Sequence, residues 1–174
     1  MKTLKILLLL LAMIFSGFSK DSNSPKARVT VPFKFNGIII QNPSSETVCT
    51  PTGNQYPYIA HSRTGWLQGN VSHGGRLIPE QSKWIIYNCD TDFADMINTS
   101  NLEGVITVAN GDSYFYTGTM LVDLTIASHP VTLNITVNGG TGRFEGVTGQ
   151  IILTGSHTEA GIPISGWGSL TFSR

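Results

Sequence analysis

The sequence predicts an all-β protein of roughly eight strands, and three observations carry that expectation. Apolar and polar residues alternate with a period of two in one run after another, the pattern of strands with a single buried face. Clusters of Gly, Asn, Asp and Pro separate the runs. No run past the N-terminal segment has the period of a helix. Nineteen of the 174 residues are glycine, about a tenth, above the roughly 7% usual in proteins.

Residues 1–19 read as a secretory signal. Lys2 and Lys5 form a positive head, an apolar run follows from Ile6 to Phe15, and Ser16 and Gly17 are the small residues expected near a cleavage point. The run is shorter than the roughly 20 apolar residues a membrane span needs, so no stable membrane insertion is expected after cleavage. Phe15-Ser16-Gly17-Phe18 has the layout of a bacterial lipoprotein site with Phe18 in the place of the lipidated Cys. A soluble product, secreted or periplasmic in a bacterium, is the expected outcome. Residues 20–27 then form a mobile leader, and 28–174 a single domain.

The first strand places Val29, Val31, Phe33 and Phe35 on one face against Arg28, Thr30 and Lys34 on the other. The stretch from Gln41 to Tyr58, interrupted by Pro43, Pro51 and Pro57, reads as a long loop. Asn110-Gly111 lies between GVITVA and DSYFYTGT and is the strongest hairpin signal, since both residues tolerate the positive φ of primed turns. The next strand carries Tyr114, Tyr116, Met120, Val122, Leu124 and Ile126 on one side, and His129-Pro130 marks a further turn. Val131, Leu133, Ile135 and Val137 give the clearest alternation. Ile151, Leu153 and His157 share another face, and Ile162, Ile164, Leu170 and Phe172 the last. The pattern alone is compatible with a small closed barrel or a sandwich.

Composition excludes some partners. Charged residues make up 13% of the chain, and eleven basic side chains balance eleven acidic ones without a basic cluster. Nucleic acid is therefore not an expected partner, because phosphates need a concentrated cationic face. Cys49 and Cys89 form an even pair, which in an exported protein favours a disulfide; two reduced thiols packed as small hydrophobes are the alternative. The histidines at 61, 73, 129 and 157 have no Cys or His neighbour at metal-ligand spacing, so neither metal nor other cofactor is expected. No Gly-x-Ser-x-Gly elbow occurs.

Asn138 to Gly149 (NGGTGRFEGVTG) is the most glycine-rich stretch. As a phosphate loop it fails: Glu145 stands where a dinucleotide fingerprint needs its last glycine, no Lys-Ser/Thr pair follows, and the next element is a strand. As a turn it makes sense. Gly139, Gly140, Gly142 and Gly146 let the chain reverse, and Phe144 can plug a barrel end.

The same stretch resembles the Gly-Gly-Thr/Ser-Gly-x-Phe-Glu-Gly-x-x-Gly-Gln run of allene oxide cyclases and, more loosely, a turn of dirigent proteins. "GNVSHGGRL" (Gly69 to Leu77), "ANGDSYFYTGT" (Ala109 to Thr119) and a terminal Gly-Trp-Gly strand resemble uncharacterised exported bacterial relatives. The resemblance spans most of the chain after residue 60. It implies an antiparallel closed barrel of about eight strands, allene oxide cyclase-like or calycin-like, with an apolar interior, and it leaves an oligomer possible, since related barrels assemble as trimers. Cyclases of the family place a Glu and an Asn two apart on the first strand. Lys34 and Asn36 stand there in this chain, without the acid, which speaks against allene oxide cyclisation.

The expected activity is the binding of a small apolar or amphipathic ligand. Phe33, Phe35, Tyr114, Tyr116 and Trp84 are candidates to line a cavity, with His61, Arg63 and His157 as polar groups able to orient its contents. Two other readings compete. One is a cyclase-like, isomerase-like or dirigent-like enzyme acting mainly by shape. The other is a surface-interaction protein around a filled barrel.

Overall fold

The computed structural model describes residues 27–51, 58–60 and 63–173. The signal-like segment, nearly all of the leader, and His61 lie outside the described residues. Eleven strands form one sheet: β1 (Arg28–Gln41), β2 (Thr47–Pro51), β3 (Tyr58–Ala60), β4 (Thr64–Val71), β5 (Gly75–Arg76), β6 (Lys83–Asp92), β7 (Ile97–Thr107), β8 (Ser113–Asp123), β9 (Pro130–Gly140), β10 (Thr148–Ser156) and β11 (Ile162–Ser173). No α-helix occurs among the described residues.

Eight strands close a ring. From β6 the sheet runs through β7, β8, β9, β10 and β11 to β1 and β4, every neighbour antiparallel. The pairs Thr64–Ile85, Gly65–Trp84 and Trp66–Lys83 then join β4 back to β6. Closure removes the free edges that an open sheet of this size would expose. It depends on the length of β1, whose 14 residues pair with β11 along one edge and with β4 along the other. The segment read from sequence as a loop contributes β2 and β3: β2 lies parallel to β6 through Thr50–Asp90 and Pro51–Thr91, and antiparallel to β3.

The alternation seen in the sequence sets which residues point inward. Phe33, Phe35 and Ile39 of β1 meet Leu67 of β4, Trp84 and Ile86 of β6, Leu102 and Ile106 of β7, and Tyr114, Tyr116 and Met120 of β8 in one buried cluster. Leu133, Ile135, Ile151, Leu153, Ile162, Ile164 and Leu170 complete it from β9, β10 and β11. Burial of this apolar surface is the main favourable term in folding. A bulge between Ile86 and Asn88 inverts the parity of β6, so that Tyr87 is exposed and Cys89 turns inward. Aromatic rings cross the interior over inward-facing glycines. A Cβ at Gly65 would lie 2.5 Å from the Trp84 ring, and one at Gly104 2.5 Å from the Tyr116 ring and hydroxyl. The space these glycines release inside the barrel is thus occupied by the chain's own aromatics.

Each end of the interior is finished differently. At one, the turn from 141 to 147 folds Phe144 inward; its ring packs edge-on to Tyr114 with centroids 5.3 Å apart, and Tyr114 meets Phe33 in the same way at 6.0 Å. Gly142 holds φ +56°, and a Cβ there would collide with the Asp112 carboxylate, which pairs with Arg143 at 3.4 Å. Gly139 and Gly146 also hold positive φ. The other end holds a buried polar cluster. Asn98 donates from Nδ2 to Thr91 Oγ1 (2.7 Å) and the Asp90 carbonyl (3.2 Å), and Ser100 donates to Asn98 Oδ1 at 3.2 Å. Cys89 Sγ is 3.3 Å from the same amide. Cys89 forms a disulfide with Cys49, 40 positions earlier, which fastens β2 to the barrel. The alternative of two reduced thiols is therefore set aside.

Candidate functional site

Phe33, Phe35, Tyr114 and Tyr116 all point into the barrel and are at most 3% exposed. Among the described residues Phe33, Phe35 and Tyr114 line no open chamber, whereas Tyr116, with Trp84, borders both a small internal void and the outer groove. The internal void beside Tyr116 and Trp84 measures about 10 Å³ and is otherwise walled by Ile39, Gln41, Leu67, Leu102, Met120, Leu133 and Ile162. That is room for about one water molecule. Burial pushes the Tyr114 phenol well above its usual range, with a smaller contribution from the neighbouring Tyr116, and burial alone raises Tyr116. The Tyr114 hydroxyl and the Trp84 indole N–H have no partner in the protein. No charged side chain is buried among the described residues.

The polar candidates do not converge on this interior. Arg63 lies just before β4 and is exposed. β10 ends at Ser156, so His157 does not continue the face of Ile151 and Leu153. Its N–H donates to the Ser128 and His129 carbonyls, and its ring stands edge-on to His129 at 6.2 Å. Nearby, Asp123 is held below its usual pKa, mainly by the hydroxyl of Thr125, then by that residue's N–H, and least by His129. This places His157 at a half-buried rim. The Lys34 and Asn36 pair faces outward, since Phe33 and Phe35 take the inward positions of β1.

The large concavity lies outside the ring, over β4, β6, β7 and β8. It is an open groove of about 1010 Å³. Strand register explains its floor. Thr117 of β8 sits opposite Glu103 of β7, Glu103 opposite Ile85 of β6, and Ile85 opposite Thr64 of β4. The next outward row, on one side of it, runs through Phe115, Val105, Lys83 and Trp66. All of these are outward positions, alternating with buried Gly65, Trp84 and Tyr116 neighbours. Ile85, Val105 and the exposed ring of Phe115 supply apolar surface, and Glu80 and Gln68 add polar groups at the margin. Glu80, Lys83 and Glu103 face the groove, and none of the three forms an ion pair within 4.0 Å.

The interior face of these strands attracts attention in the sequence because its residues are aromatic. The groove is built by the opposite parity of the same strands, and Trp66, Lys83, Glu103 and Phe115 alternate with core residues like any solvated face. Only the register across four strands, of which no two are joined by a sequence motif except β7 and β8, brings them together. No known protein family matches the chain, and neither does any curated protein or solved structure.

Proposed function

We propose that this chain is an exported, allene-oxide-cyclase-like barrel that binds a small amphipathic ligand in the outer groove of β4, β6, β7 and β8. The carrying observation is the contrast in available space: about 1010 Å³ in the groove against about 10 Å³ inside the barrel. Small-molecule sites occupy roughly 300–1,000 Å³ and combine apolar walls with a few polar groups. Here the apolar part of a ligand lies on Ile85, Val105 and Phe115, and its polar part reaches Lys83 or Glu103. The disulfide agrees with an oxidising compartment, and no helix among the described residues is long and apolar enough to cross a membrane. Export to the periplasm or the medium rests on the signal-like residues 1–19.

Native mass spectrometry of the purified protein, with extraction of anything bound, gives the chemical class. Titration with anilinonaphthalene sulfonate, an aromatic anion, then locates the site. Phe115→Glu and Lys83→Glu each weaken binding at least tenfold if the groove is the site. Unchanged affinity in both variants refutes the assignment. The surface-interaction reading is favoured by the same packed interior, and it shares the prediction that function resides on the outer face.

A further inference from the structure

We propose that the other half of the ring, the outer face of β9, β10, β11 and β1, is a docking platform for a neutral polysaccharide, with Trp167 as its stacking residue. Trp167 is 70% exposed in the middle of β11, the most exposed large apolar side chain among the described residues. Its ring makes no aromatic contact and its indole N–H no hydrogen bond, so the fold gains little from it. Strand register sets Lys34 of β1 on one side and Ile152 of β10 on the other.

Two features of the surroundings define the partner. The outward positions of the four strands are mostly hydroxyl and amide side chains, Ser165, Ser169, Gln150 and Asn134 among them, with Ile38, Ile40 and three prolines as apolar exceptions beside Trp167 and Ile152. Some already bond across strands, as Gln150 does with Thr136 and Thr30 with Thr171. Only Lys34 and, at the far end of β1, Arg28 carry charge on this face, and no acid does. A polyanion would find one lysine beside the indole, too little to hold it, and a polycation would find no counter-charge. Charge complementarity therefore selects an uncharged partner. A protein partner needs a contiguous desolvated centre within an interface of roughly 1,200–2,000 Å², whereas here the polar row Asn36, Ser165 and Thr154 separates the Trp167–Ile152 pair from Ile38 and Pro163. A sugar chain matches what is present. The C–H face of a pyranose ring lies flat on the indole, which is apolar in its body and polar at its edge, while ring hydroxyls exchange hydrogen bonds with serine, threonine and amide side chains.

The platform and the groove occupy opposite halves of the ring, so either assignment can fail without the other. The test is affinity electrophoresis of the purified protein in native gels containing hydroxyethylcellulose, xylan, galactomannan or dextran. Retardation is expected with at least one of these, reduced at least tenfold in apparent affinity by Trp167→Ala, largely restored by Trp167→Phe, and unaltered by Tyr87→Ala, which removes an exposed aromatic from a different face. Absence of retardation in all four gels overturns the proposal, as does retardation that Trp167→Ala leaves intact. Sedimentation velocity provides the remaining arm: a dimer that Trp167→Ala dissociates would assign this face to a second copy of the chain and overturn the glycan.

Discussion

Tyr114→Phe tests the packing of the barrel interior directly, because it removes one oxygen and nothing else. Tyr114 is fully buried, its hydroxyl has no partner in the protein, and the small internal void is not among its neighbours. A buried hydroxyl without a partner costs about 1–3 kcal/mol. Deleting it leaves a gap on the order of 10 Å³, which at about 24 cal/mol per Å³ costs only about 0.2 kcal/mol. The ring contacts with Phe33 and Phe144 survive the change. The variant is therefore expected to be more stable by about 1–2 kcal/mol, a rise in Tm of roughly 2–8 °C for a chain of this size. Urea unfolding of both proteins at equal slope measures it. A loss of 1 kcal/mol or more would show that the hydroxyl is bonded in solution and that the reasoning about its isolation is wrong. Tyr114→Ala supplies the complement: truncating a large buried aromatic in a filled core costs about 3–5 kcal/mol. A cost below about 1 kcal/mol would mean that the interior is not packed against this ring, and would return the barrel cavity to contention as the ligand site.

Three further outcomes follow from the same packing. Replacing Cys49 and Cys89 together by Ala should lower stability by about 4 kcal/mol in the chain-entropy treatment of a loop closed across a sequence separation of 40; denaturant unfolding measures the loss, and thiol titration of the unfolded, unreduced wild type should find no free thiol. Gly104→Val forces a side chain against the Lys83 carbonyl and the Tyr116 ring, each 2.5 Å from the new Cβ. It should cost at least about 1–3 kcal/mol by the same unfolding assay, whereas Gly111→Ala, with open space around its Cβ but a φ of +88°, should lose only about 1 kcal/mol. Alkaline titration should show cooperative behaviour. Burial raises the Tyr114 and Tyr116 phenols above 10.0, so the folded chain keeps both protons at a pH where the unfolded chain releases them. Their contribution is complete below about pH 10 and is lost as pH rises towards the folded values, by about 1.4 kcal/mol per unit for each phenol. Phenolate absorbance from these two residues should appear together with loss of the folded signal; ionisation well before unfolding would contradict their burial.

The elements of the fold were legible where the physics is local. Period-two alternation over Val131–Val137 determines both a strand and its buried face, and Val131, Leu133, Ile135 and Val137 are all core. Asn110-Gly111 does form a turn, closed by hydrogen bonds between Val108 and Asp112 and from Gly111 to Val108. Local signals failed where pairing depends on a distant partner. β2 is stabilised as a strand by β6 and the disulfide, neither of which leaves a trace in the Pro-containing stretch from Gln41 to Tyr58. His157 falls one residue beyond the end of β10, a boundary that alternation alone does not mark. Tyr87 and Cys89 share a sequence parity but lie on opposite sides of the sheet, since the intervening bulge adds a residue.

That limit bears most heavily on function. In a closed barrel every strand has two faces, and the inner one is legible because hydrophobic burial demands a recognisable composition. The outer face answers to no such demand, so its composition is free to be used for binding. Gly65 and Gly104 show where the fold has committed its interior: each gives up a side chain so that Trp84 or Tyr116 can fill the space. An interior ligand would have to displace these rings, re-expose the apolar surface around them and leave two glycine positions uncovered. A ligand in the groove meets Phe115 already 43% exposed and charges already unpaired, and needs no rearrangement of the core. The energetically easier place to bind is therefore the face whose residues carried no recognisable pattern along the chain, and the groove variants at Phe115 and Lys83 address it without disturbing the packing that Tyr114 reports.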